Sequence, residues 1–166
     1  MTAGQRQILI ARLKQAFQEV VRGQGTSLRE GRVLDDYGSE EEQAKARKLD
    51  TDHHRWEISD KSIEELTDAI TFLDAEGFRF YLPAFLTYAL RRGQESDWPV
   101  GDWAVGQLAW LDREGDFELM TQEQKLVVAQ VLRFFAEHVE EDWADGETAI
   151  AAIRKYWHRF LQDSSG

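Results

Sequence analysis

The sequence predicts an all-α protein, six to eight helices packed as one compact orthogonal or irregular bundle around one core. Three observations predict it. Apolar residues recur at three- and four-residue steps along most of the 166-residue chain. Capping boxes, in which a Ser or Thr is followed three residues later by Glu or Gln, open three separate segments. Gly23, Gly38, Gly77, Gly93, Gly115 and Gly146 fall where helices would end, and proline occurs only at Pro83 and Pro99.

The elements follow in order. Leu9, Leu13, Phe17, Val20 and Val21 form one stripe of a first helix from about Gln5 to Arg22. Ser27 and Glu30 box the start of a short helix carrying Leu28, Val33 or Leu34, and Tyr37. Ser39 and Glu42 box the next, whose acids come first and whose Lys45, Arg47 and Lys48 come last, matching the helix dipole. Asp50 to Glu57 reads as a polar loop. Ser59 caps a helix to about Asp74 with Ile63, Leu66, Ile70 and Leu73 inward, and Gly77 ends it. Phe78 to Leu82 alternates and admits a short strand, after which Pro83 can occupy the first turn of a helix carrying Phe85, Leu86, Ala89 and Leu90. A helix of undefined start holds Trp103, Leu108, Trp110 and Leu111. An acidic connection then places Phe117 and Leu119 in the core. Thr121 and Gln124 box the clearest helix, Gln122 to about Glu140, with Val127, Val128, Val131, Leu132, Phe135 and Val139 inward. Asp145 caps the last, which carries Ile150, Ile153, Trp157, Phe160 and Leu161. One domain over residues 1–162 and a frayed tail at 163–166 complete the expectation.

Composition narrows the function. Nine Phe, six Trp and four Tyr supply apolar area that disordered chains lack. There is no cysteine, so no disulfide framework and no thiolate chemistry, which fits a reducing compartment. No signal peptide is recognisable and no apolar run is long enough to span a bilayer, so the expected location is cytoplasmic. The net charge of −11 is concentrated: residues 95–147 alone carry −11, whereas residues 1–34 carry +4 and residues 148–166 carry +2. Such a field repels nucleic acid and anionic membranes and attracts a basic partner, although it also serves solubility alone.

The run Glu76-Gly77-Phe78-Arg79-Phe80-Tyr81-Leu82-Pro83-Ala84-Phe85 carries a resemblance. So do Thr121-x-x-Gln124-Lys125 with Val128, Leu132 and Phe135, and Ala152-x-x-x-Tyr156-Trp157. Together they resemble a family of small bacterial proteins known only as a domain of unknown function, family 6714, over about Leu28 to Phe160. These motifs are aromatic and structural. The resemblance implies a helical fold and a bacterial, intracellular origin, and it brings no catalytic motif.

Candidate chemistry is sparse. Asp50, Asp52, His53, His54 and Glu57 gather imidazoles and carboxylates on one loop, the donor types that a divalent metal requires. His54 with Glu57 and His138 with Glu141 share a three-residue spacing, but both run opposite to the helical di-iron signature Glu-x-x-His. Solvated loop histidines are the simpler reading, and no cofactor is expected. Carboxylate pairs at Asp35-Asp36, Glu64-Glu65 and Glu140-Glu141-Asp142 suit exposed helix ends as well as acid–base work. There is no Gly-x-Ser-x-Gly elbow, and Gly23-Gln24-Gly25-Thr26-Ser27 lacks the lysine of a phosphate loop.

Three functions compete. The leading one is a non-enzymatic interaction module that neutralises a basic protein, as immunity proteins and antitoxins do, through Asp97, Trp98, Asp102, Trp103, Asp112, Glu114 and Asp116. The second is a metal-dependent enzyme built on Asp52, His53, His54 and Glu57, with His138 joining. The third is a homo-oligomeric structural subunit whose basic first and last helices meet the acidic middle of a neighbour.

Overall fold

The computed structural model describes residues 2–51 and 58–162. Among them there is no strand, and about 75% of the chain is helical. Ten α-helical segments exceed the six to eight expected: α1 (Thr2–Ala16), α2 (Leu28–Asp35), α3 (Glu40–Leu49), α4 (Asp60–Glu65), α5 (Ala75–Arg92), α6 (Val100–Ala109), α7 (Glu114–Phe117), α8 (Gln122–Glu137), α9 (Gly146–Ala152) and α10 (His158–Gln162). The excess arises where one expected helix divides. The segment after Ser59 is α4 followed by a 3₁₀ turn, Thr67–Phe72. The last helix is α9 and α10 joined through a π turn, Ile153–Trp157.

All three capping boxes form. Ser27 accepts from the Glu30 amide, Ser39 from Glu42 and Thr121 from Gln124, and each N3 side chain reaches back to its cap. These bonds satisfy amides that the first helical turn leaves without partners. Ser59 and Asp145 cap α4 and α9 with their side chains as expected.

The strand expected at Phe78–Leu82 is instead the middle of α5, which runs through Pro83. Asp74 is its N-cap, accepting from the Gly77 amide at 2.8 Å. Gly77 therefore lies in the first turn of α5 and ends nothing. It is bare because the chain before α2 crosses it: a Cβ there would meet the Thr26 carbonyl oxygen at 2.3 Å. Phe78, Phe80, Tyr81, Leu82, Phe85 and Leu86 are all buried. A helix buried on every side has no polar face, so its sequence shows neither helical nor strand periodicity cleanly.

Around α5 pack α1, α6 and α7, while α8 lies against α1, α9 and α10. One core runs through them. Phe117 links the halves, its ring 5.0 Å from Trp157 and 5.3 Å from Tyr156. Several expected core residues lie outside it: Val21, beyond the end of α1, is exposed, and Val139 is only partly buried. Leu119 is exposed, and so is Tyr37, which adopts a left-handed conformation beyond the end of α2.

Candidate functional site

A hollow of about 420 Å³ opens where the C-terminus of α5, the N-terminus of α6 and the loop before α9 meet. Two glycines let these parts close together. A Cβ on Gly93 would meet the Trp143 carbonyl oxygen at 2.1 Å, and one on Gly101 would meet the Ala144 Cβ at 2.8 Å. The loop 142–145 thus lies directly on the backbone of α5 and α6. Trp143 anchors it from below, buried, with the Arg6 guanidinium 3.9 Å from its ring centroid.

Four carboxylates, Asp97, Asp102, Asp142 and Asp145, line this cleft, together with Trp98, and no lysine or arginine is among its lining residues. All four acids are exposed. Several carboxylates elsewhere are answered by cations: Asp60 by Arg91 and Arg92, Glu30 by Arg47, Asp116 by Arg113. Crowding desolvates the Asp102 carboxyl, and the negative Asp145 and Asp142 add to this. An amide hydrogen bond at Asp145 opposes them, and the net effect raises the Asp102 pKa. The Asp145 pKa is held low, because its carboxylate accepts from the Thr148 hydroxyl and amide.

Trp98 is held in place by a polar relay. Its amide donates to Ser96 Oγ at 3.0 Å, and Ser96 Oγ lies 2.7 Å from the buried Tyr88 hydroxyl. That hydroxyl donates to Glu64 Oε2 at 2.8 Å. Trp98 itself is 49% exposed. Two shallower hollows continue from the cleft. One shares Asp102 with it and is lined by Trp103, Gly106 and Trp110. The other shares Trp98 and reaches Glu64, Glu65 and Asp68.

Of the seven residues singled out from sequence, Asp97, Trp98 and Asp102 meet in the cleft and Trp103 lies in both adjoining hollows. Asp112, Glu114 and Asp116 do not line it. Asp116 is paired with Arg113 at 2.9 Å. Asp142 and Asp145 belong to the cleft but read in sequence as an acidic run and a helix cap. Asp52, His53, His54 and Glu57 lie outside the described residues. Asp50 is buried and accepts from the Arg29 amide and guanidinium. His138 Nδ1 lies 2.7 Å from the Phe134 carbonyl oxygen, and its ring stacks on Phe134. Among the described residues no three His, Asp or Glu side chains gather so as to hold a metal ion, and no helix is long and apolar enough to cross a membrane.

Fold and cleft together define a helical domain with a carboxylate-lined recess flanked by exposed tryptophans. The chain belongs to the family of unknown function DUF6714, which it matches over residues 5–161. The match extends to α1, which the sequence resemblance had left out. No curated protein and no solved structure matches the chain.

Proposed function

We propose that this protein is an acidic interaction module that receives a basic protein partner, in the manner of immunity proteins and antitoxins. The observation that carries this reading is the cleft itself: four exposed carboxylates, no facing cation, and an exposed tryptophan on the rim. The negative Asp145 and Asp142 oppose the charge on Asp102. A partner's lysine or arginine relieves that repulsion and gains from it. Trp98 offers a large rigid surface, and tryptophan is favoured as an interface anchor. A guanidinium entering the cleft could stack on it as well.

The test is capture of proteins from the source organism's lysate on the tagged chain, at low and at moderate salt, beside a variant carrying Asp97→Lys, Asp102→Lys and Asp142→Asn. The expected result is a stoichiometric basic protein that is lost as salt rises and is absent from the variant, whose helicity by circular dichroism is unchanged. A partner retained equally by both proteins would contradict the reading.

A further inference from the structure

The proposed module leaves α6 only half explained. Its inward side, Val100, Gly101, Ala104, Val105 and Leu108, is buried. Its outward side carries Trp103, 39% exposed, and ends at Trp110, 45% exposed. Between them lies Gly106, and the three share a hollow of about 340 Å³ with Thr71 and Gln107. Positions 103, 106 and 110 fall on one face of a helix.

Gly106 is the informative residue. A glycine inside a helix destabilises it relative to alanine, so such a position usually has a packing reason. Gly93 and Gly101 have one, since other backbone or side-chain atoms occupy the space of their Cβ. Gly106 has none: a Cβ built there meets no heavy atom within 4 Å, as at Gly4 in α1 and Gly115 in α7, but Gly106 alone of these three lies between two exposed tryptophans. No described atom occupies the space over the bare backbone between two exposed tryptophans, which leaves it open to close approach from outside.

We infer that the Trp103–Gly106–Trp110 face docks an amphipathic helix of the basic partner, a claim that rests on the interaction reading above. An aliphatic side chain of that helix seats over Gly106, flanked by the two indoles. The tryptophans are seven residues apart, on the order of 10 Å along the axis, which matches the i and i+7 anchors of a helix lying in a groove. Charge selects a cationic helix. Asp102 stands on the edge of this hollow and of the acidic cleft. The hollow on the other side of Trp103 adds Glu64, Glu65 and Asp68; of its lining residues only Arg32 is a cation, and it already pairs with Asp68, while Lys61 lies 4.0 Å from Glu65. Lysines or arginines beside the aliphatic stripe therefore meet carboxylates at the Trp103 end of the contact.

The test uses three labelled probes: a helical peptide with a leucine stripe and lysine flanks, its glutamate-flanked counterpart, and oligolysine. Binding is read by fluorescence anisotropy. The leucine–lysine helix is expected to bind more tightly than oligolysine, and the glutamate peptide not at all. Trp110→Ala should weaken the leucine–lysine helix by at least about tenfold. Gly106→Ala should weaken it too, while raising the melting temperature by about 2–4 °C. A residue serving only the fold would not move stability and affinity in opposite directions. If both variants bind like the parent, the docking inference falls. If affinity is then lost on Asp97→Asn with Asp142→Asn, the acidic-cleft reading stands without it. No binding of either cationic probe to the parent overturns both. A concentration-dependent dimer abolished by Trp110→Ala would assign the face to a second copy of the chain and overturn the proposal.

Discussion

Trp157 and Trp110 both adjoin α6, and they are treated in opposite ways. Trp157 is fully buried, its Nε1 donating to the Leu108 carbonyl at 3.0 Å and its ring packed on Phe117 and Phe160. Trp110 caps the C-terminus of the helix and stays nearly half exposed. The polar groups divide in the same way. Arg113, 4% exposed, donates to the carbonyls of Ile70, Thr71 and Leu73, to Gln107 Oε1 and to Asp116. No lysine or arginine is among the residues that line the carboxylate cleft. Side-chain size and charge therefore do not decide what is completed inside this molecule. One side of α6 is saturated and holds the fold, and the other stays exposed, the side proposed above to receive a partner.

Trp157→Ala gives the largest effect that could break this contrast. It should cost about 3–5 kcal/mol in denaturant unfolding, the range for deleting a buried aromatic, whereas Trp110→Ala should stay within about 0.5 kcal/mol. Equal losses would mean that the outer tryptophan is a core residue after all. Arg113→Met comes next. It leaves three backbone carbonyls without their donor and should cost about 3 kcal/mol, measured in the same way. Thr121→Ala removes one capping bond of α8 and should cost about 1 kcal/mol, read as a lower melting temperature.

Asp102→Asn has the smallest effect and the opposite sign. Because the folded pKa of Asp102 is raised, its ionised form is disfavoured in the native state. The penalty is present at neutral pH and is relieved as the pH falls through the raised value towards the ordinary 3.8. The variant should therefore melt higher than the parent at pH 7, and the difference should shrink on acidification. A pH-independent difference would mean that desolvation and the neighbouring Asp145 and Asp142 do not disfavour the ionised Asp102 as described.

What was legible in the sequence was local. A capping box needs residues three apart, so Ser27, Ser39 and Thr121 announced their helices correctly. The inward face of α8 was legible because one side of that helix is polar. α5 was not, because burial on all sides removed the contrast that periodicity depends on. Gly77 and Pro83 then looked like punctuation, although they sit inside the helix. The site was half legible for a related reason. Asp97, Trp98 and Asp102 are neighbours in sequence and their charge was visible. Asp142 and Asp145 join them only because Gly93 and Gly101 let a distant loop lie on the backbone, an approach that no short-range pattern encodes.

The most direct measurement is hydrogen–deuterium exchange of the chain alone and in the presence of the basic partner proposed above. The account predicts new protection in residues 97–110 and 142–145, with α1 and α8 unchanged. Protection confined to the α1–α8 side, with the cleft and the outer face of α6 exchanging as before, would contradict it.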